Sequence, residues 1–313
     1  MHRFKNILCP VDFSESSYEA IEKASFLAQL FQADLTLLHV INVLPQSFGV
    51  VFGLDLSSSK MMEKATQNAR TLLREAKKKY VPYAVKCKSS IRVGRASEQI
   101  IREAEELGSE LIVIASKGPG ENETPFMGAN TNQVISGAPC PVITYNQIEK
   151  NSGSNPKGFR NILIPIDLKE DFSEIRAYIC EHFSRMGPAV TIISVVPVGS
   201  SKEEIDEAVK NVEIEAEILS DHGIHQVHNL IIEDDNPAQQ IIKYGKEKGS
   251  DLIMMSTHGK SGLGNMVIGT VTANVINHAI FPVFTMRPGI KIPSANGTNQ
   301  GKSEIAVEQQ GEA

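Results

Sequence analysis

The chain carries one motif twice, as Asn6-Ile7-Leu8-Cys9-Pro10-Val11-Asp12 and, 155 residues later, as Asn161-Ile162-Leu163-Ile164-Pro165-Ile166-Asp167. The apolar run at residues 35–40 recurs at residues 190–195 with the same offset. Further on, residues 98–101 match residues 239–242, so the offset has fallen to 141. The second copy has therefore lost 14 residues, in the region where the first carries residues 45–60. A repeat of this length indicates two copies of one domain, and 313 residues are enough for both.

Short apolar runs rich in Val, Ile and Leu alternate with longer amphipathic stretches in both copies. This alternation is typical of parallel strands joined by helices, and the unbroken apolar runs indicate a sheet with helices on both faces. We therefore predict an α/β protein of two tandem, doubly wound, parallel five-stranded sheet domains, Rossmann-like in architecture. The predicted strands are 6–11, 34–41, 84–92, 110–115, 141–145, 161–166, 189–196, 226–232, 251–256 and 282–286. The predicted helices are 15–31, 57–79, 95–107, 129–137, 172–185, 201–221, 236–248 and 270–279.

Local composition sets the predicted domain boundaries. Asn, Ser, Gly and Pro crowd together in residues 147–158, which we predict to be a linker between a first domain at 1–146 and a second at 159–287. Residues 288–313 are polar and Gly-rich, and are predicted to form a disordered tail.

The charge and cysteine patterns exclude several classes of partner. The net charge is −6, with +1 over residues 1–150 and −7 over the remainder, so a nucleic acid is not expected as a partner. The four cysteines lie far apart and without metal-ligand spacing, which favours structural thiols and no metal site. No apolar stretch reaches 18 residues and no signal-peptide pattern is present. We therefore expect a cytoplasmic protein that does not contact a membrane.

An aspartate ends the first strand of each copy. Open parallel sheets bind ligands at the carboxyl ends of their strands, near the point where the strand order reverses. Asp12 and Asp167 are thus placed to accept hydrogen bonds from a ligand amine or hydroxyl. The alternative, that each simply caps the following helix, is equally consistent with the sequence.

The loop after the fourth strand of the second copy is rich in glycine. It runs from Ser256 to Thr270 and contains His258, Gly259, Lys260 and Gly269, with no acidic residue after Thr257. Glycines let backbone N–H groups approach an anion closely, and Gly269-Thr270 opens a predicted helix whose N-terminus favours negative charge. These features favour a phosphate-binding loop, against the alternative of a flexible connection.

Two familiar nucleotide motifs do not fit. Gly259-Lys260-Ser261 resembles the end of a Walker A loop, but Met254 occupies the position of its first glycine and the loop follows the fourth strand. The dinucleotide fingerprint GxGxxG belongs after the first strand, where this chain has Asp12-Phe13-Ser14-Glu15.

Both copies resemble the universal stress protein family, whose nucleotide-binding members carry Gly-x2-Gly-x9-Gly-[Ser/Thr] after the fourth strand. The second copy matches with Ser256, Gly259, Gly269 and Thr270, Ser256 replacing the first glycine. The resemblance implies ATP as ligand, with adenosine near Ile166, Asp167 and Val195 and phosphates near Gly259, Lys260, Gly269, Thr270 and Thr272. It leaves open whether Mg²⁺ is required. The implied binding residues of the second copy are Pro165, Ile166, Asp167, Val195, Met255, Ser256, Thr257, His258, Gly259, Lys260, Gly269, Thr270, Val271 and Thr272.

The first copy departs further from that pattern. Asp12, Gly118 and Gly128 correspond to binding positions, but Ala129 replaces the Ser or Thr, and Glu121 and Glu123 lie in the loop. Because like charge disfavours a bound phosphate, we predict that the second copy is the stronger nucleotide site.

The resemblance also implies that the fifth strands pair, since this strand joins two subunits in the family, so the two copies are expected to form an internal pseudo-dimer. Further dimerisation stays open. A stress-responsive regulator that binds adenine nucleotide is the first functional hypothesis. The alternatives are a slow ATPase, as in the related adenine-nucleotide hydrolase superfamily, and a nucleotide-free scaffold. No catalytic residue is predicted, because no nucleophile with an adjacent base recurs in both copies.

Overall fold

The computed structural model describes residues 4–42, 59–116, 127–146, 158–167, 172–257 and 268–290. We name residues 4–146 the first half and residues 158–290 the second half. The elements of the first half are β1 (Asn6–Pro10), α1 (Glu15–Phe31), β2 (Asp34–Ile41), α2 (Ser59–Tyr80), β3 (Cys87–Val93), α3 (Ala96–Leu107), β4 (Leu111–Ala115), α4 (Ala129–Gly137) and β5 (Val142–Tyr145). Those of the second half are β6 (Asn161–Pro165), α5 (Ser173–His182), a 3-10 turn (Ser184–Met186), β7 (Ala189–Val196), α6 (Lys202–Asp221), β8 (Gln226–Glu233), α7 (Pro237–Lys248), β9 (Leu252–Ser256), α8 (Thr270–His278) and β10 (Val283–Met286).

All ten strands form one sheet, in the order β3-β2-β1-β4-β5-β10-β9-β6-β7-β8. Within each half the strands are parallel and the order reverses beside the first strand, which confirms the predicted doubly wound arrangement. The halves meet where β5 pairs antiparallel with β10, with Phe284 opposite Ile143. The two sheets that we predicted are thus one continuous sheet, and the fifth strands pair as the family resemblance implies.

Two apolar layers cover the sheet, and each runs through both halves. Helices α1, α2, α5 and α6 pack on one face, where Leu73 and Tyr178 are 1% exposed. Helices α3, α4, α7 and α8 pack on the other face, where Val134 and Val275 are 0% exposed. Tyr178 of the second half contacts the ring of Phe4 in the first half, with ring centroids 5.8 Å apart. The halves therefore share their hydrophobic cores.

Capping residues explain why several helix limits could be read from the sequence. Ser14 accepts a hydrogen bond from the Ser17 N–H and begins α1, while Asn236 caps α7 and is followed by a proline at the first helical position. Gly108 and Gly249, at φ 58° and 65°, end α3 and α7 in the left-handed conformation that favours glycine.

Two predicted limits are wrong by three residues. Strand β3 begins at Cys87, because residues 82–85 form a turn in which the Val85 N–H donates to Pro82 O at 3.0 Å. Helix α5 ends at His182 and a 3-10 turn carries the chain to Gly187, whose φ is 58°. At the start of the predicted tail, Ile290 is 8% exposed and the Gly289 N–H donates to Glu174. Residues 147–157 of the predicted linker at 147–158, and residues 291–313 of the predicted tail, lie outside the described residues, so both stay predictions.

None of the described helices combines the length and apolar content needed to cross a lipid bilayer.

Candidate functional site

Each half has a cleft at the carboxyl ends of its central strands. Cleft one, in the first half, has a volume of about 390 Å³ and lies over β1, β2 and β4. Cleft two, in the second half, has a volume of about 680 Å³ and lies over β6, β7 and β9. The lining residues correspond at the offsets of the sequence repeat. Such pairs are Pro10 with Pro165, Asp12 with Asp167, Val40 with Val195, Ala115 with Ser256, and Thr131 with Thr272.

Cleft two brings together most of the predicted binding residues that the structure describes. Strand ends supply an apolar floor, the start of α8 forms one wall, and the start of α7 adds Pro237 and Ile241. Asp167 is exposed at the mouth. The predicted residues that line cleft two are Pro165, Ile166, Asp167, Val195, Met255, Ser256, Val271 and Thr272. In cleft one, Asp12 and Gly128 line the cleft.

Three predicted residues that the structure describes, Thr257, Gly269 and Thr270, do not lie in the lining of cleft two. Thr257 is 0% exposed, and its N–H donates to Met286 O at 3.0 Å, so it belongs to the core. Its inclusion in the binding set stays a prediction. The predicted residues Gly118, His258, Gly259 and Lys260 lie outside the described residues.

A backbone hydrogen bond closes the base of the loop that follows the fourth strand in each half. The Gly269 N–H donates to Thr257 O at 2.8 Å, and the Gly128 N–H donates to Ser116 O at 3.0 Å. We call these two closures neck two and neck one. The Gly269 amide is therefore bonded within the protein, and its expected role as a phosphate donor stays a prediction. The N–H groups that can face an anion at this turn belong to Thr270 and Val271, in the first turn of α8.

Gly269 is not required by the described backbone. Its φ of −58° suits any residue, and an added Cβ would meet Thr257 O at 3.5 Å, an ordinary van der Waals contact. Within the described part of the chain, neither strain nor crowding explains glycine at this position. A close approach of a ligand to this backbone is a physical reason for it.

The threonine hydroxyls in the clefts hold the helices to the sheet. Thr272 Oγ1 donates to Ser256 O at 3.0 Å, and Thr131 Oγ1 donates to Ala115 O at 3.1 Å. The hydroxyl of Thr272 thus donates its proton to a strand carbonyl, which is a structural role; its expected role as a phosphate donor stays a prediction.

Asp12 acts on the helix start through the capping residue. Its Oδ1 accepts hydrogen bonds from the N–H of Ser14, at 2.9 Å, and from the hydroxyl of Ser14, at 2.5 Å. Ser14, not Asp12, is the N-cap of α1. Asp12 itself is exposed at the mouth of cleft one.

The sequence analysis missed an acidic wall in cleft two. The shorter connection after β7 brings the start of α6 to the cleft, so Glu204 and Glu207 join Asp167 in the lining. Glu204 Oε2 also accepts the Ser201 N–H at 2.7 Å and completes a capping box. No lysine or arginine is present in the described part of this lining. The 14-residue deletion was the available signal, because a short connection places the next helix directly over the strand ends.

The cysteines are not chemical groups of these sites. Burial raises the pKa of the Cys9 and Cys140 thiols well above the usual value, and raises the pKa of Cys87 to about 11. A thiol with a raised pKa is a poor nucleophile. The described residues also contain no group of three His, Cys, Asp or Glu side chains that could hold a metal ion.

The fold and the paired clefts define a tandem, doubly wound α/β protein with a ligand-sized cleft in each half. The sequence profile described as the universal stress protein family matches the chain twice, at residues 3–146 and 158–287. The chain therefore belongs to the universal stress protein family.

Some relatives match almost the whole chain, and others match one half of it. Universal stress protein Slr1230 of Synechocystis is 23% identical over 305 residues, which cover 90% of this chain and 100% of the relative. Universal stress protein MJ0577 of Methanocaldococcus jannaschii is 29% identical over 161 residues, covering 48% of this chain and 98% of the relative. The crystal structure of a universal stress protein from Archaeoglobus fulgidus superposes with a TM-score of 0.70 at 20% identity, covering 91% of this chain and 98% of that one. At this identity the likeness shows the fold.

Proposed function

We propose that this protein binds an adenine nucleotide, with ATP as the nucleotide of choice, and that cleft two is the stronger site. The observation that carries the proposal is the composition of cleft two, where an apolar floor faces the first turn of α8. A volume of about 680 Å³ lies within the range of small-molecule sites, about 300–1,000 Å³. Occupancy of the cleft would then regulate a stress response in the cytoplasm.

The chemistry of the walls suggests how the nucleotide is oriented. The N–H groups of Thr270 and Val271 and the dipole of α8 favour the phosphates at that end of cleft two. Glu204 and Glu207, at the start of α6, line another part of cleft two, where negative charge disfavours phosphate and suits hydroxyl or amine donors. The ribose and base are therefore expected toward α6.

Three differences support a ranking of the clefts. Cleft one is smaller, at about 390 Å³ against about 680 Å³. Helix α4 begins with Ala129, where α8 begins with Thr270 and so has a hydroxyl. The first-half loop also carries Glu121 and Glu123. Each difference weakens a phosphate site in the first half.

A matched pair of variants tests the proposal. Gly269→Asp and Gly128→Asp each place a carboxylate at the N-cap of a helix, a position that aspartate favours. The carboxylate competes with phosphate for the same N–H groups, so folding is retained while the anion is excluded. We expect Gly269→Asp to lower ATP affinity at least about 100-fold, corresponding to two lost charge-assisted hydrogen bonds of about 1.5 kcal/mol each.

The control is Gln226→Glu, which adds the same charge at the amino end of β8, away from the cleft. Isothermal titration with ATP measures all three variants. The ranking is wrong if Gly128→Asp weakens binding more than Gly269→Asp. Nucleotide binding itself is excluded if the wild-type protein takes up no ATP, which would leave the scaffold hypothesis. Steady phosphate release by the wild type would support the ATPase hypothesis instead.

A further inference from the structure

Helix α8 reaches from cleft two to neck one of the first half. Its first turn contributes Val271 and Thr272 to cleft two. The helix has nine residues, so its last turn lies about 10 Å further along its axis. That last turn contacts the first half, and the contacts converge on neck one.

The first contact is made by Asn277, in the last turn of α8. Its Oδ1 accepts the Met127 N–H at 2.5 Å. Met127 is followed by Gly128, which is the N-cap of α4 and lines cleft one. A side chain of the second half therefore holds the residue at which the chain enters the ligand-facing helix of the first half.

The second contact is made through Asn146, which follows β5. Its Nδ2 donates to Ile276 O at 2.7 Å and to Ala279 O at 2.6 Å, at the end of α8. Its Oδ1 accepts the hydroxyl of Ser116. Ser116 is the other side of neck one, because its carbonyl accepts the Gly128 N–H. Both sides of neck one are thus connected to the last turn of α8. Asn277 bonds Met127, which precedes Gly128, and Asn146 links Ser116 to the end of the helix.

The counterparts in the opposite direction differ. Ser136 occupies the position of Asn277, and its hydroxyl donates to Asn132 O at 2.9 Å within its own helix. Arg287 occupies the position of Asn146, and its Nε donates to Ala138 O at 3.0 Å. The hydrogen bond from the Met127 N–H to the amide oxygen of Asn277 therefore has no equivalent from Ser136, whose hydroxyl bonds within its own helix.

We propose that Asn277 is a positioning residue for cleft one, and that α8 couples the two clefts through it. The coupling rests on the nucleotide binding proposed above. A nucleotide at cleft two bonds the first turn of α8 and restricts its movement, and the Asn277 contact carries that restriction to Met127 and Gly128. By thermodynamic linkage, a ligand at cleft one changes the affinity of cleft two by the same factor.

Three variants test the positioning role without nucleotide. Asn277→Ala removes the acceptor, Asn277→Asp keeps it, and Asn274→Ala makes the same truncation at an exposed position of α8. The readout is the rate of amide hydrogen exchange at Met127, followed by NMR in the full-length protein. We expect exchange to be about two- to tenfold faster in Asn277→Ala, the equivalent of one hydrogen bond, and near wild type in the other two. Equal exchange in Asn277→Ala and wild type, or equally faster exchange in all three variants, would overturn the positioning role.

The coupling is tested by adding ATP. In the wild type, ATP at a concentration that fills cleft two and leaves the weaker cleft one largely empty is expected to slow exchange at Met127 at least about threefold. In Gly269→Asp, which blocks cleft two, and in Asn277→Ala, which cuts the contact, this slowing is expected to disappear. An ATP effect that persists in either variant, or that is absent from a wild type shown to bind ATP, overturns the coupling. If the wild type binds no ATP, the proposed function and the coupling both fail, while the exchange rates without nucleotide still decide the positioning role.

Discussion

Replacing Asn146 by alanine should weaken the whole protein, although the residue lies outside both clefts and just beyond a strand. The side chain makes three hydrogen bonds, two from Nδ2 to the end of α8 and one to Oδ1 from Ser116. At about 1 kcal/mol for each bond in a partly buried position, Asn146→Ala is expected to cost about 3 kcal/mol of unfolding free energy. For a chain of this size the unfolding entropy is about 0.6 kcal/mol per kelvin, so the melting temperature should fall by about 5 °C.

The assay is thermal and urea unfolding followed by circular dichroism. Asn146→Asp provides a close comparison, because its carboxylate still accepts the Ser116 hydroxyl but no longer donates to Ile276 O and Ala279 O. It should be at least as unstable as the alanine variant, since negative charge then faces two carbonyl oxygens. Asn274→Ala, an exposed truncation on α8, should change stability by no more than about 0.5 kcal/mol.

Because the apolar layers run through both halves, we also expect a single unfolding transition in each of these proteins. An unfolding free energy of Asn146→Ala within about 0.5 kcal/mol of wild type would contradict the stabilising role of these hydrogen bonds. Two separate melting steps in the wild type would contradict the shared core.

Two further predictions concern single side chains. Thr272→Val should lower the unfolding free energy by about 1 kcal/mol, because one hydrogen bond to Ser256 O is lost. The affinity for ATP, measured by titration, should stay within about twofold of wild type. A large loss of affinity would instead place Thr272 in the phosphate site. Burial raises the pKa of Asp251, so the folded wild type loses stability as this carboxyl ionises with rising pH, whereas asparagine at this position does not ionise. The unfolding free energy of Asp251→Asn, relative to that of wild type and measured in urea, should therefore be higher at pH 7 than at about pH 4. An equal difference between the two proteins at both pH values would contradict this.

The element pattern was predictable because its signals are local. Apolar runs and capping residues such as Ser14 and Asn236 lie next to the elements they define, so the order of strands and helices was correct. The wrong limits of β3 and α5 fell at local turns, at residues 82–85 and at the 3-10 turn Ser184–Met186. Burial that depends on a tertiary contact was not predicted either: Ile290 lies in a polar stretch and is nevertheless buried in the shared core.

The candidate site was predictable in position but not in detail. The aspartates that follow the first strand of each half, and the Gly-rich loop after the fourth strand, indicated the carboxyl ends of the strands, where the clefts lie. The sequence did not indicate which of these groups form hydrogen bonds within the protein, because the partner of a hydrogen bond depends on the folded geometry. The Gly269 amide and the Thr272 hydroxyl both donate hydrogen bonds to backbone carbonyls. The bond from Met127 to Asn277 joins residues 150 positions apart, and no local pattern indicates it.

Fusion of the two copies removes a constraint that symmetric assemblies obey. In a dimer of identical chains every substitution appears on both sides of the two-fold axis, so a contact built for one neck is imposed on the other. Here β5 and β10 belong to one polypeptide, and the equivalent positions hold Ser136 in one half and Asn277 in the other. Substitutions can therefore accumulate separately in each half. A contact from the second half to neck one can then evolve without its symmetric counterpart.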